Sequence, residues 1–310
     1  MSFKNDVITG LTSQPKTLPS KYFYDERGSV LFQSIMKLPE YYLTGAEMEI
    51  LKEQSDDIWR VWEAEQNSTK ARVIELGAGD GLKTRFLLEA GLQRGLEIHY
   101  TPIDISAKVF EDLERNTPDG VFFEPIHGDF FQGLSEMAQI EGIPSIVLFL
   151  GSNIGNMPYD QARDFLARIR KMINSNDRLL LGVDHIKSPN MIRRAYNDAA
   201  GVTAAFNHNL LFRINRELNA NFDPDYFEHY ASFVPETGEA RSYLISKREQ
   251  TVTIAEHTIH FDQWEYIHME VSKKYSINEL NELLEQSGFK SVHRFRDCKH
   301  YFIDDYAKPI

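Results

Sequence analysis

The chain has 310 residues, and 34 basic against 46 acidic side chains leave a net charge of −12, which disfavours a general polyanion binder and excludes nucleic acid as the expected partner. With 42% hydrophobic and 26% charged residues it can bury one large core or two smaller ones, so disorder does not describe it. The single cysteine, Cys298, allows no intrachain disulfide, Ser2 to Asp6 lack the apolar stretch of a signal peptide, and the longest apolar run, Ile146 to Leu150, falls far short of the roughly 20 residues of a membrane helix; a soluble, cytoplasmic protein with no membrane partner is expected.

In chain order, residues 17 to 43 are unusually aromatic (Tyr22, Phe23, Tyr24, Phe32, Tyr41, Tyr42) and must pack on something. Thr44-Gly45-Ala46-Glu47 reads as a capping box that opens a helix with Ile50, Leu51, Ile58, Val61 and Trp62 inward, ended by Asn67-Ser68-Thr69. From Val73 the texture changes to short apolar runs separated by helical patterns: Val73 to Leu76, Ile98 to Ile103, Val121 to Phe123, Ile146 to Leu150 and Leu179 to Val183. That alternation predicts βαβ units and a parallel sheet. Pro158 suits the first position of the crossover helix that carries Ala162, Phe165, Leu166, Ile169 and Met172. After Asp184 the alternation lapses. Residues 189–271 read as an inserted α+β domain with two helices around Gly201 and strands at Arg241 to Ile245 and Gln250 to Ile254. A second capping box, Ser276-Ile277-Asn278-Glu279, opens a helix closed by Gly288, and strands at Ser291 to Phe295 and His300 to Ile303 finish the chain.

The chemistry begins where Val73-Ile74-Glu75-Leu76 runs into Gly77-Ala78-Gly79-Asp80-Gly81 and a helix follows. Glycines at the carboxyl end of a parallel strand let backbone approach a ligand. A dinucleotide fingerprint needs glycine at position 82, where this chain has Leu82, so a nicotinamide cofactor is disfavoured. Glu75 with Gly77, Gly79 and Gly81 instead resembles the first motif of Rossmann-like S-adenosylmethionine methyltransferases. Asp104, after Tyr100 to Ile103, stands where that class takes the ribose diol, and a carboxylate, which only accepts, matches two hydroxyl donors. Asp129 and Phe130 stand where the class contacts adenine. The implied fold is α/β: a mostly parallel sheet with an antiparallel C-terminal strand, plus a smaller inserted domain.

Four segments resemble one family within that class, the histidine-specific Nα-methyltransferases of ergothioneine biosynthesis, over nearly the whole chain. They are Leu18 to Phe32, running on through Leu38-Pro39-Glu40-Tyr41-Tyr42; Phe149-Leu150-Gly151-Ser152-Asn153-Ile154-Gly155-Asn156; Ala195-Tyr196-Asn197 through Phe206-Asn207; and Glu270-Val271-Ser272-Lys273-Lys274-Tyr275. The resemblance implies that Asn156 and Tyr196 hold a substrate carboxylate and that Glu270 and Ser272 hold an imidazole. It further implies that Tyr41 and Phe32 enclose the amino group with Tyr24, the residue expected to orient the nitrogen. Gly77, Gly79, Lys83, Asp104, Asp129, Phe130 and Gly151 would serve S-adenosylmethionine, with S-adenosylhomocysteine as product. The neutral donors of Asn156 and Tyr196 suit a carboxylate, and Glu270 and Ser272, two apart on a strand, share a face. The chain departs from the family at Ser242 and Tyr243, where a large apolar residue can stand against the substrate ring.

The expected reaction is therefore Nα-methylation of L-histidine, carried to the trimethylated betaine, hercynine. Alternatives are an Nα-methyltransferase for another aromatic amino acid, such as tryptophan or a derivative, and a noncatalytic S-adenosylmethionine-binding protein. Taken alone, Tyr24, Phe32 and Tyr41 read as core aromatics, Glu270 as a solvated strand acid and Asn156 as a turn residue. The ten histidines show no ligand spacing, so no metal is expected, and nothing around Cys298 frames a nucleophile. The expected division is an N-terminal segment, 1–64, a cofactor domain, 65–188 with 272–310, and the insertion, 189–271; the protein is expected to act as a monomer on a small amino acid.

Overall fold

The computed structural model describes residues 2–137 and 142–310. The chain divides into two compact units, Leu43–Ile186 with Lys274–Ile310, and Met1–Tyr42 with Lys187–Lys273.

The first unit is built on a sheet whose strands run, side by side, Phe289–Arg296, Phe302–Pro309, Arg178–Asp184, Ser145–Phe149, Lys70–Leu76, Glu97–Asp104 and Phe122–Phe123, with Ile126–His127 also on Glu97–Asp104. Arg178–Asp184 through the Phe122 edge are parallel, and the last two strands of the chain add antiparallel at the other edge. Ser145–Phe149 and Arg178–Asp184 are buried at every position, the expected pattern for strands covered on both faces. Residues Ile74, Leu76, Val147, Phe149, Leu179 and Leu181 of the sheet pack with Phe165, Leu166 and Ile169 of the Tyr159–Met172 helix and Leu280, Leu283 and Leu284 of the Ile277–Gln286 helix. The Ser276 capping box is formed as expected, with Glu279 closing it. Pro158 stands one position earlier than expected, as the N-cap of its helix. The final strand also lies later than its pattern suggested, because His300, at φ 55°, belongs to the turn before it.

The second unit has its own core and a four-stranded sheet in the order Lys16–Thr17, Tyr266–Lys273, Glu239–Ser246, Phe227–Val234, beside a separate ribbon of Gln250–Ile254 and His257–Phe261. The helices Phe3–Thr12, Glu26–Ile35 and Val202–Leu218 contribute Val7, Leu11, Ile35, Phe206, Leu210 and Ile214 to this core. The aromatic N-terminal segment therefore belongs with the insertion rather than standing alone. The sequence-based boundary at residue 64 differs from the observed one because the long Tyr42–Glu65 helix goes with the parallel sheet, burying Ile50, Ile58, Trp59 and Trp62 there. Trp59 fixes that helix by donating its indole N–H to the Leu87 carbonyl at 2.7 Å.

One expectation is corrected outright. The Tyr42–Glu65 helix starts two residues before Thr44, so Thr44 lies inside it, and Glu47 is not the third residue of a capping box. The Glu47 side chain is buried and spends its carboxylate on distant partners.

Candidate active site

In the parallel-sheet unit, the loops after successive strands gather at one edge because parallel strands end on the same side. The strand Lys70–Leu76 delivers Gly77 and Gly79, whose φ of 76° and 59° is the left-handed conformation that glycine adopts without penalty. Gly77 donates its N–H to the Ile103 carbonyl at 3.0 Å, which ties this turn to the end of the next strand. A side chain at Gly77 would meet the Phe130 ring at 3.4 Å, so Phe130 stands over the turn. Phe130 in turn packs edge-on against Phe149 and Phe165. Asp104 ends Glu97–Asp104; its Oδ1 accepts the Ser106 N–H at 2.8 Å, and burial raises its carboxyl above the usual range. Asp129 is exposed and accepts the Phe131 N–H at 2.9 Å at the start of the Phe130–Met137 helix. After Ser145–Phe149 come Gly151, at φ 75°, and a short 3-10 turn, Asn153–Asn156, with Asn156 exposed.

Two carboxylates of this unit, Glu75 and Glu47, are buried. Glu75 is buried and accepts from Thr84 (2.7 Å) and Tyr100 (2.5 Å); burial pushes its carboxyl up to about 7 despite both donors. Lys83 pairs with Glu47, and the other Glu47 oxygen accepts the Gly151 N–H at 2.6 Å.

The second unit collects the remaining expected residues. Tyr24 ends the Ser20–Phe23 3-10 turn, and Phe32 lies on Glu26–Ile35. Their rings meet at 5.4 Å, Phe32 meets Tyr41 at 6.2 Å, and Tyr41 meets Tyr196 at 6.5 Å. Phe206 of the Val202–Leu218 helix closes this group, 5.6 Å from Tyr24 and 5.8 Å from Phe32. The Tyr24 residue is 46% exposed, and partial loss of water around its phenol, then the Glu270 charge and the Tyr196 phenol, raise its pKa above the ordinary tyrosine value. Tyr196 donates to the Ser272 hydroxyl at 2.8 Å, and both residues are buried.

Glu270 stands directly opposite Ser242 on the neighbouring strand, and Ser272 opposite Ala240, so Glu270 and Ser272 do share one face of the sheet. Ser242 is fully buried, with no partner for its hydroxyl among the described residues. Tyr243 points the other way, packing on Tyr230, Tyr266 and His268. Of Ser242 and Tyr243, only Ser242 therefore lies beside Glu270. Phe206, inside the Ala195–Asn207 segment, joins the expected rings without having been singled out by its sequence. Glu47 was passed over because it read as a helix cap.

Among the described residues no helix is long and apolar enough to cross a membrane, and no group of three or more His, Cys, Asp or Glu side chains could hold a metal ion. The model of the family described as histidine-specific methyltransferase, SAM-dependent, matches residues 3–309. The chain is 36% identical over 302 residues to a histidine N-alpha-methyltransferase of Mycolicibacterium smegmatis, covering 96% of this chain and 91% of the relative. It is 32% identical over 302 residues to ergothioneine biosynthesis protein 1 of Schizosaccharomyces pombe, covering 94% of this chain but 38% of that longer protein. A 4-dimethylallyltryptophan N-methyltransferase of Claviceps purpurea is 29% identical over 293 residues, covering 82% and 84%. With a match across nearly its whole length and a strand order that sets antiparallel strands beside a parallel Rossmann-like sheet, the chain belongs to the family of histidine-specific, S-adenosylmethionine-dependent methyltransferases.

Proposed function

We propose that this enzyme methylates the α-nitrogen of L-histidine and repeats the transfer until the trimethylated betaine is formed. The observation that carries the reading is the grouping, in one unit, of four aromatic rings (Tyr24, Phe32, Tyr41, Phe206) with Tyr196, Ser272 and Glu270. An amino acid needs both kinds of surface: polar groups for its carboxylate and ring, and aromatic faces for a nitrogen that loses its N–H donors and becomes a fixed cation.

The residues of the parallel-sheet unit fit the cofactor. The Gly77 turn exposes backbone free of side chains, Phe130 offers a flat apolar face beside it, and the Asp104 carboxylate suits a vicinal diol. S-adenosylmethionine, when bound, supplies an electrophilic methyl on a sulfonium centre. Gly77, Gly79, Asp104, Asp129, Phe130 and Gly151 would hold it, with Lys83 at the base of the glycine turn.

The substrate residues then have distinct tasks. Asn156 offers a neutral amide donor and Tyr196 a phenol, and either suits a carboxylate. A phenol has one proton, so the bond from Tyr196 to Ser272 must open before Tyr196 can donate to a carboxylate, which lets the Ser272 hydroxyl turn to an imidazole nitrogen. Glu270 accepts from an imidazole N–H. The α-amine would react as its neutral form, the ammonium proton passing to solvent before each transfer, so the residues around it must hold the nitrogen without taking up its lone pair. Tyr24 stays a neutral phenol at physiological pH, since its pKa is raised, so it orients the nitrogen by hydrogen bonding and does not act as a phenolate base.

A second reading, a substrate with a larger aromatic ring such as tryptophan, draws support from the small side chains Ala231 and Ser242, which stand in line with Glu270 across three strands. Incubation with isotope-labelled S-adenosylmethionine and each of the twenty amino acids, followed by mass spectrometry, separates the readings. Histidine should gain three labelled methyls. Preferential labelling of tryptophan favours the second reading, and no labelled amino acid overturns both.

A further inference from the structure

One polar cluster of the parallel-sheet unit joins two of its strand-end loops. Glu47 reaches it from the Tyr42–Glu65 helix and divides its carboxylate. Oε2 pairs with Lys83, which follows the glycine turn, and Oε1 accepts the Gly151 N–H at 2.6 Å. Those two loops follow different strands, Lys70–Leu76 and Ser145–Phe149, which lie side by side in the sheet.

The sheet is shaped to admit this carboxylate. A Cβ on Gly182, in the adjoining strand, would lie 2.4 Å from Glu47 Oε1, 3.1 Å from the Leu150 Cα and 3.2 Å from Asp304 Oδ1. A side chain at 182 would therefore displace Glu47 or the backbone leading into Gly151. Asp304, directly across from Gly182, is fully buried, and neither of its oxygens has a hydrogen-bond partner among the described residues. Burial first, then the Glu47 charge, raise the Asp304 carboxyl well above its ordinary value, with Lys83 opposing. Glu47 is the carboxylate that pairs directly with Lys83.

We propose that Glu47 is a positioning residue for the cofactor loops: by holding Lys83 and the Gly151 N–H with one carboxylate, it sets the glycine turn and the Gly151 loop at a fixed separation. The inference rests on the cofactor role proposed above for those loops. Glu47 ties both loops together through its one carboxylate, so removing it should loosen cofactor binding without removing any residue assigned to contact the cofactor.

The test is calorimetric titration of the intact protein with S-adenosylhomocysteine, well below its unfolding temperature. Glu47→Gln keeps the length and an acceptor for Gly151 but leaves Lys83 without its counter-charge. Glu47→Asp keeps the charge but shortens the reach by one methylene, and carries the comparison should the first variant not fold. The dissociation constant should rise by about fivefold or more in either variant, the size of one lost buried hydrogen bond. A smaller change in a folded variant overturns the inference. A parent protein that takes up no S-adenosylhomocysteine overturns the cofactor assignment as well, which distinguishes the two failures.

Discussion

Replacing Glu270 by glutamine tests the substrate reading at its most specific point. The residue is partly buried, faces the fully buried Ser242 and shares its face with the buried Ser272, so a ring held there has little water to fall back on. A hydrogen bond to an ionised acceptor in such a setting contributes about 1.5–3 kcal/mol. At ~1.4 kcal/mol per decade, kcat/KM for histidine should fall about ten- to 150-fold. The amide keeps the shape, so the loss reports charge and not a cavity. Product is followed by mass spectrometry at histidine concentrations well below KM, with the S-adenosylhomocysteine dissociation constant measured on the same sample. That constant should not move, because no cofactor residue is touched. A Glu270→Gln enzyme that uses histidine as well as its parent refutes the assignment of the ring to this carboxylate, and an equal loss of cofactor binding shows that the variant acts through the fold.

Three further outcomes follow from groups away from the substrate. Lys274 and Asp184 form an ion pair at 2.8 Å with both side chains fully buried, so Lys274→Met alone should cost about 3–5 kcal/mol in urea unfolding, and adding Asp184→Asn should recover much of it. Glu75 titrates from 4.5 to about 7 on folding, and at ~1.4 kcal/mol per unit that difference is of order 3 kcal/mol. Since the folded value is the higher one, the parent is most stable, from this group, below pH ~4.5 and loses that margin as pH rises through ~7. Glu75→Gln, which can still meet Thr84 and Tyr100, should flatten that fall; an unchanged slope between pH 5 and 7.5 contradicts the assignment. Cys298 is exposed, but Glu49 accepts from its thiol and, first among the causes, raises its pKa. Iodoacetamide should therefore alkylate it more slowly than a free cysteine at pH 8, Glu49→Gln should speed the reaction, and Cys298→Ser should leave methyl transfer intact.

The parallel sheet was legible because its central strands, buried on both faces, are continuous apolar runs, and five apolar runs separated by helical patterns admit few architectures. All five were found to within a few residues, as was the Ser276–Gly288 helix, whose two end signals are local. The second unit was harder to read. Phe227–Val234 and Tyr266–Lys273 mix tyrosine, histidine, serine and glutamate on faces that meet other residues of the same unit, so neither shows clean alternation. A bulge between His268 and Glu270 further breaks the period of the strand that carries Glu270 and Ser272.

Glu47 marks the limit of local reading most clearly. Thr44 and Glu47 have the spacing of a capping box, and nothing within ten residues contradicts it. What decides the matter lies 36 and 104 residues away, at Lys83 and Gly151, and in a glycine at 182 that leaves room for a carboxylate. The energetic order is plain. An N-terminal turn of a helix can satisfy its donors with water at little cost, whereas the buried Glu47 carboxylate must find donors within the protein, and Lys83 and the Gly151 N–H supply them. The carboxylate goes where desolvation is most expensive, and the helix starts two residues earlier than its own sequence suggests. Glutamates of this kind are found in a sequence by asking which buried cation or loop amide lacks a partner, a question that only the folded chain poses.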